Sequence, residues 1–169
     1  VGVAIDTIQQ INSYLLKDIL VYEVIKQSNK ILDLLKLIAF QVGQEVSLQE
    51  LARQLGISKN TVESYLDLLS KVFVIYKVPG FSRNLRKEIT KSNRWYFYDN
   101  GIRNGIIANF SRLEARTDVG ALWENYLASE RIKYQSYTQK SVSNYFWRTY
   151  DQQELDWLEE ENGILRGYE

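Results

Sequence analysis

The chain has 169 residues, 45% of them hydrophobic and 25% charged, with 21 basic and 21 acidic residues. This composition supports a folded core, and no apolar run is long enough for a membrane span. Cysteine and histidine are both absent, which excludes disulfides, thiolate or imidazole metal sites, cysteine nucleophiles and serine–histidine triads. Methionine is absent too, even at position 1, and this predicts a piece of a longer protein. Val1-Gly2-Val3 lacks the basic flank and apolar core of a signal peptide, so a cytoplasmic protein is expected.

Residues 1–27 are expected to be a helical linker. Leu15, Leu16, Ile19, Leu20 and Val24 recur at helical spacing within 5–26. Ser28 then predicts the N-cap of a helix over about 29–42, with Ile31, Leu34, Leu35, Ile38 and Ala39 inward and Gly43 at its end.

Residues 47–72 are the most informative stretch. Ser47-Leu48-Gln49-Glu50 spells a capping box. A short helix to Leu55, a turn at Gly56-Ile57-Ser58 and a helix over about 59–71 follow. Leu48, Leu51, Ala52 and Leu55 line one helix and Val62, Tyr65, Leu66 and Leu69 the other. This is a helix-turn-helix pattern. Strands are predicted over Val72–Val78, ending at Pro79, and over Arg94–Tyr98. Three helices and a hairpin predict a winged helix over 28–98.

Charge is distributed unevenly. Residues 73–117 hold nine basic and three acidic residues, and residues 118–169 hold five basic and ten acidic. The second helix of the pair presents Lys59, Asn60, Glu63, Ser64 and Asp67, with Lys59 and Asn60 at its N-terminus, where bases and phosphates are within reach. Lys77, Arg83, Arg86, Lys87, Lys91 and Arg94 face only Glu88 in the wing. Such a loop suits weakly specific contact with the backbone of double-stranded DNA, and it equally suits docking on an acidic partner domain.

Residues 99–117 are expected to be a connector. Asp118 or Thr117 predicts a helix over about 119–135 with Val119, Leu122, Trp123, Tyr126 and Leu127 as its apolar face, and Glu124 beside it. Strands are predicted over Tyr145–Thr149, Glu154–Glu160 and Ile164–Glu169, with Asn162-Gly163 as a type I′ turn. A two-residue turn pairs Glu159 with Arg166, Trp157 with Tyr168 and Asp156 with Glu169. Opposed carboxylates repel unless they are solvated or a cation such as Mg²⁺ lies between them. The last strand leaves a bare edge open to pairing with another chain.

Several strings resemble the region that follows the ATPase core in prokaryotic AAA-type ATPases. They are Lys17-Asp18-Ile19-Leu20, the helix-turn-helix, Phe81-Ser82-Arg83-Asn84-Leu85-Arg86, Tyr96-Phe97-Tyr98-Asp99, Gly120-Ala121-Leu122-Trp123-Glu124-Asn125, Tyr145-Phe146-Trp147-Arg148-Thr149, Glu154-Leu155-Asp156 and Tyr168-Glu169. The resemblance implies a winged helix followed by a domain similar to the PD-(D/E)XK restriction-endonuclease fold, incomplete here over 118–169. It implies an acid at Glu124, an Asp at Asp156 and the first residue of E-x-K at Glu169, which together would hold Mg²⁺. The Lys would fall beyond residue 169, so this piece is expected to be inactive as a nuclease. An upstream domain in cis would bind ATP and Mg²⁺, because no P-loop motif occurs in this sequence.

Overall fold

The computed structural model describes residues 28–82, 93–149 and 153–169. The helix expected within 5–26 lies outside them. Among the described residues, five α-helices and two three-stranded antiparallel sheets make a mixed α and β fold. No helix among them is long and apolar enough to cross a membrane.

Helix α1 (Ser28–Phe40) buries Ile31, Leu34, Leu35, Ile38 and Ala39, the face its periodicity predicts. Strand β1 (Glu45–Val46) and helix α2 (Leu48–Leu55) follow. The Ser47 hydroxyl accepts from the Glu50 N–H at 3.3 Å, while the Glu50 carboxylate accepts from Gln54 Nε2 at 3.1 Å. Gly56 ends α2 at φ +65°, a left-handed backbone that suits glycine. Ser58 then caps helix α3 (Lys59–Lys71) through the Thr61 N–H at 3.1 Å, and Val62, Leu66 and Leu69 are buried. Two helices joined by a tight turn thus form from the caps and stripes read in the sequence, although Glu50 bonds Gln54 instead of closing the capping box.

Strand β2 (Ile75–Pro79) begins three residues later than expected. Val72 closes α3, and Phe73 takes φ +58°, which no strand permits. Strand β3 (Asn93–Phe97) pairs with β2 from Ile75 opposite Phe97 to Pro79 opposite Asn93. Its other edge carries β1, with Glu45 opposite Arg94, so the sheet order is β1-β3-β2. The expected hairpin therefore has a third strand. At two residues, β1 is too short to show alternation.

The expected connector is partly helical. Helix α4 (Asn100–Ile106) is capped by the Asp99 carboxylate, which accepts from the Ile102 N–H at 3.0 Å, and a 3₁₀ turn spans Leu113–Ala115. The pairs Asn100-Gly101 and Asn104-Gly105 carry the chemistry of turns and mask the helix.

Helix α5 (Val119–Tyr137) precedes the meander β4 (Ser143–Arg148), β5 (Glu154–Glu161) and β6 (Ile164–Tyr168). Asn162 and Gly163 take φ +53° and +77°, as a type I′ turn requires, and the pairs Glu159–Arg166 and Trp157–Tyr168 form in register. The expected charge pair across that register does not form. Glu159 is taken by Arg131 at 2.6 Å, and Arg166 turns to Glu161 at 2.7 Å.

The apolar face expected on α5 is corrected more deeply. Only Leu122 of that set is buried; Val119, Trp123, Tyr126 and Leu127 are exposed. The helix instead buries Leu122, Asn125, Ala128, Ser129 and Gln135, because it docks on strands through amide hydrogen bonds.

Each face of the β2–β3 pair has its own cover, following the period-two alternation of strands. Ile75, Trp95 and Phe97 belong to the core that includes α1, α2 and α3. On the opposite face, Tyr96 meets Trp157 edge-on at 6.1 Å and Arg94 lies 4.7 Å over the Phe146 ring. Gly80 bridges to Phe146, whose carbonyl accepts from the Phe81 N–H at 2.7 Å. One apolar core runs through both sheets.

Candidate functional site

A groove of about 880 Å³ lies open between the start of α2, α3 and the β2–β3 pair. Lys59, Glu63, Asp67, Lys77, Asn93 and Trp95 are among its lining residues. Lys59, Asn60, Glu63, Ser64 and Asp67 are all exposed, as their place on the helix predicts. The charges on α3 are paired along the helix, Lys59 with Glu63 at 3.4 Å and Lys71 with Asp67 at 2.6 Å. The helix itself is therefore close to neutral. Lys77 extends to solvent from β2. Arg83, Arg86, Lys87 and Lys91 lie outside the described residues.

Arg94 does not belong to this surface. It is 5% exposed and points to the opposite face of the sheet. Its Nη1 lies 2.8 Å from Asp156 and 3.8 Å from Glu124, and its Nη2 lies 3.3 Å from Glu154. The Tyr96 hydroxyl donates to Glu124 at 2.7 Å. Gly43, at φ +74°, makes room for this carboxylate, since a Cβ there would lie 2.6 Å from Glu124 Oε1. Burial raises the Glu124 carboxyl above the usual carboxylate range; Asp156 and Glu154 add to the rise, and the Tyr96 hydrogen bond and Arg94 oppose it. Burial alone would lower the Arg94 guanidinium. The hydrogen bond to Asp156 and the influence of Tyr96 outweigh it, and the group is raised.

Two of the three acids expected to hold Mg²⁺ thus converge, but on an arginine. Glu124 and Asp156 share the Arg94 guanidinium with Glu154, while Glu169 is exposed just past the end of β6. Among the described residues no group of three acids could hold a metal ion. In this structure Arg94 is the cation that the carboxylates of Glu124, Glu154 and Asp156 share. Glu154 joins the cluster because it lies two residues from Asp156 on one face of β5. Arg148 extends the network, 3.5 Å from Glu45 on β1 and 3.7 Å from Glu154.

Two further buried polar centres lock α5 in place, and neither is foreseen in the sequence. Asn125 is fully buried and behaves like one residue of an added strand. Its Oδ1 accepts from the Phe97 N–H at 2.7 Å, and its Nδ2 donates to the Phe97 carbonyl at 3.0 Å and to Asn100 Oδ1 at 2.9 Å. Asp118 accepts from Arg103 Nη1 and from Arg116 Nε, both at 2.7 Å, and Arg103 also donates to the Ala39 carbonyl at 3.0 Å.

The Arg116 hydrogen bond, joined by Arg103, holds the Asp118 carboxyl well below the usual carboxylate range, against the opposing effect of burial. A depressed folded pKa gives stability that is present above the unfolded value of about 4 and is lost as pH falls below it. Glu159, lowered by Arg131, Trp157 and Gln135 in spite of its burial, has the same sign. Replacing Asp118 by alanine should cost about 2 kcal/mol at neutral pH. Melting temperatures recorded from neutral to acidic pH should converge with the wild type as the carboxyl titrates.

Comparison with known proteins places these units. Residues 119–169 match the model "Domain of unknown function (DUF4143)", a domain typically found in AAA-ATPase-associated proteins. The chain is also similar to "Uncharacterized protein Rv2008c" of Mycobacterium tuberculosis and "Uncharacterized protein Mb2031c" of Mycobacterium bovis. Each is 29% identical over 135 residues, which cover 79% of this chain and 30% of the relative. The chain therefore spans about 30% of the length of the curated relatives it matches. No solved structure matches it. Residues 4–114 match the model "Domain of unknown function (DUF8612)", and the chain belongs to that family.

Proposed function

We propose that residues 28–98 act as a DNA-contacting winged helix with two differently used sides, within a longer AAA-type ATPase. The open side contacts duplex through Lys59 and Asn60 at the start of α3 and Lys77 on β2, and the basic residues Arg83, Arg86, Lys87 and Lys91 add to the contact. The opposite side of the sheet anchors the acidic segment 118–169. The observation that carries the reading is this division: the groove beside α3 is open and lined by Lys59 and Lys77, while the acidic segment packs on the far face of β2–β3.

Because the α3 charges are paired, most of the affinity should come from the loop, with little sequence preference and a steep salt dependence. Anisotropy titrations of a labelled duplex at several salt concentrations test this. Neutralising Arg83, Arg86 and Lys87 together should lower the slope of log K against log salt by about 2–3 and weaken binding more than tenfold. An unchanged titration in that variant overturns the reading.

A second reading rests on the capture of Arg94 by carboxylates of the same chain. In it, the remaining loop cations dock on an acidic surface of the ATPase domain. Binding to that domain with no affinity for DNA would favour it. ATP hydrolysis belongs to the proposed parent; neither reading assigns it to these residues.

A further inference from the structure

The groove beside α3 holds a donor that the fold does not use. Trp95 is 5% exposed, and its indole Nε1–H has no hydrogen-bond partner among the described residues. An unpaired buried donor is costly, and an acceptor is its expected companion. Two other buried side-chain atoms lack partners, Arg94 Nε and the Tyr76 hydroxyl. Both belong to the far face of the sheet, where the Tyr76 ring stacks on Tyr96 at 5.7 Å. Trp95 instead stands opposite Lys77, and both line the groove.

The start of α2 lines the same groove through Ser47, Leu48 and Gln49. The first turn of a helix carries N–H groups with no acceptor inside the helix. Here the Ser47 hydroxyl takes the Glu50 N–H, while those of Leu48 and Gln49 have no partner among the described residues. The positive end of the helix dipole lies with them. Lys77 is exposed and makes no ion pair among the described residues. The nearby carboxylates are already held: Glu50 accepts from Gln54 on its own helix, and Glu63 and Asp67 pair with Lys59 and Lys71.

We propose that Trp95, the first turn of α2 and Lys77 form a binding site for a phosphate group. Indole N–H, backbone N–H and ammonium are donors without acceptor capacity. A phosphate matches them, because it offers at least three acceptor oxygens and a charge that suits both the ammonium and the helix end. The indole and the Leu48 and Gln49 N–H groups donate to its oxygens, and Lys77 supplies the neutralising charge. A duplex backbone and free inorganic phosphate both present this group. Use of the site on a duplex rests on the DNA-contacting reading above, whereas the site itself does not. On a duplex it would fix the register of the protein without reading sequence.

Heteronuclear NMR of the full chain is the test, because each indole N–H gives its own signal. The chain has four tryptophans, and Trp95→Phe, which keeps a ring and deletes the donor, identifies the signal of Trp95. Inorganic phosphate and, separately, a short duplex are added, each against chloride at matched ionic strength. The Trp95 indole and the Leu48 and Gln49 amides should shift together and saturate. The Trp157 indole, which donates to Glu159 at 3.1 Å, should stay in place. Trp95→Phe should bind phosphate about tenfold more weakly, and its melting temperature should not fall, since the indole N–H has no partner to lose in the free protein. Lys77→Gln, at an exposed position, should weaken binding similarly and serves if Trp95→Phe fails to fold. Shifts with phosphate but no binding of duplex would uphold the site and end the DNA reading; shifts with duplex alone would uphold the site as a backbone contact. A set of three signals that moves with neither, even where the duplex binds, would overturn the proposal, as would unweakened phosphate and duplex binding in Lys77→Gln.

Discussion

Replacing Arg94 by alanine should destabilise the protein by about 2–3 kcal/mol, the cost of removing a buried side chain and its charge-assisted hydrogen bonds to partly exposed carboxylates. The guanidinium is the cation that Glu124, Glu154 and Asp156 share, and its packing on Phe146 is lost with it. Arg94→Lys should recover only part of the loss, because a point charge cannot span three carboxylates as a planar fork does. The deficit should shrink in acid, where protonated carboxyls no longer need the cation. Arg148→Ala is the control: its ion pairs lie at the surface, and it should cost less than about 1 kcal/mol. Urea unfolding of the three variants checks all of this. If Arg94 were a solvent-facing DNA contact, its removal would cost no more than about 0.5 kcal/mol.

Asn125→Leu should be as damaging, at about 2–4 kcal/mol, although the side chains are similar in size. The loss leaves the Phe97 N–H and C=O buried without partners, and each such group costs about 1–3 kcal/mol. Asn125→Asp keeps the acceptor for the Phe97 N–H, but it sets a carboxylate against the Phe97 carbonyl and Asn100 Oδ1, and should be no better tolerated. Thermal melts of the two variants, with Ser136→Ala on the exposed side of α5 as a control, give the comparison. Amide exchange at Phe97 should accelerate in both.

The pattern of what is legible in the sequence follows from these contacts. Helices α2 and α3 are legible because Ser47, Gly56, Ser58 and the two apolar stripes act within a few residues of one another. The β6 register is legible because Asn162-Gly163 dictates the turn. Strand β1 and helix α4 are not, since one is two residues long and the other is built from residues that favour turns. The apolar face of α5 is misread because its docking is by amides: Asn125 and Gln135 face inward while Trp123 and Leu127 face out. Arg94 is misassigned because a count of charges along the wing says nothing about which sheet face a residue occupies. Its alternation with Tyr96 places it among the carboxylates, and that signal becomes visible only when both faces of the sheet are known to be covered.

The proposed division of residues 28–98 into an open side and an anchoring side is tested most directly by one duplex titration on two variants. Lys77→Gln, on the open side, should lower the salt slope by about 1 and weaken binding to every sequence alike. Glu161→Gln, in the acidic unit, should leave slope and affinity unchanged. If the wild type shows no salt-dependent affinity, or if Glu161→Gln alters the titration as much as Lys77→Gln does, the account is contradicted.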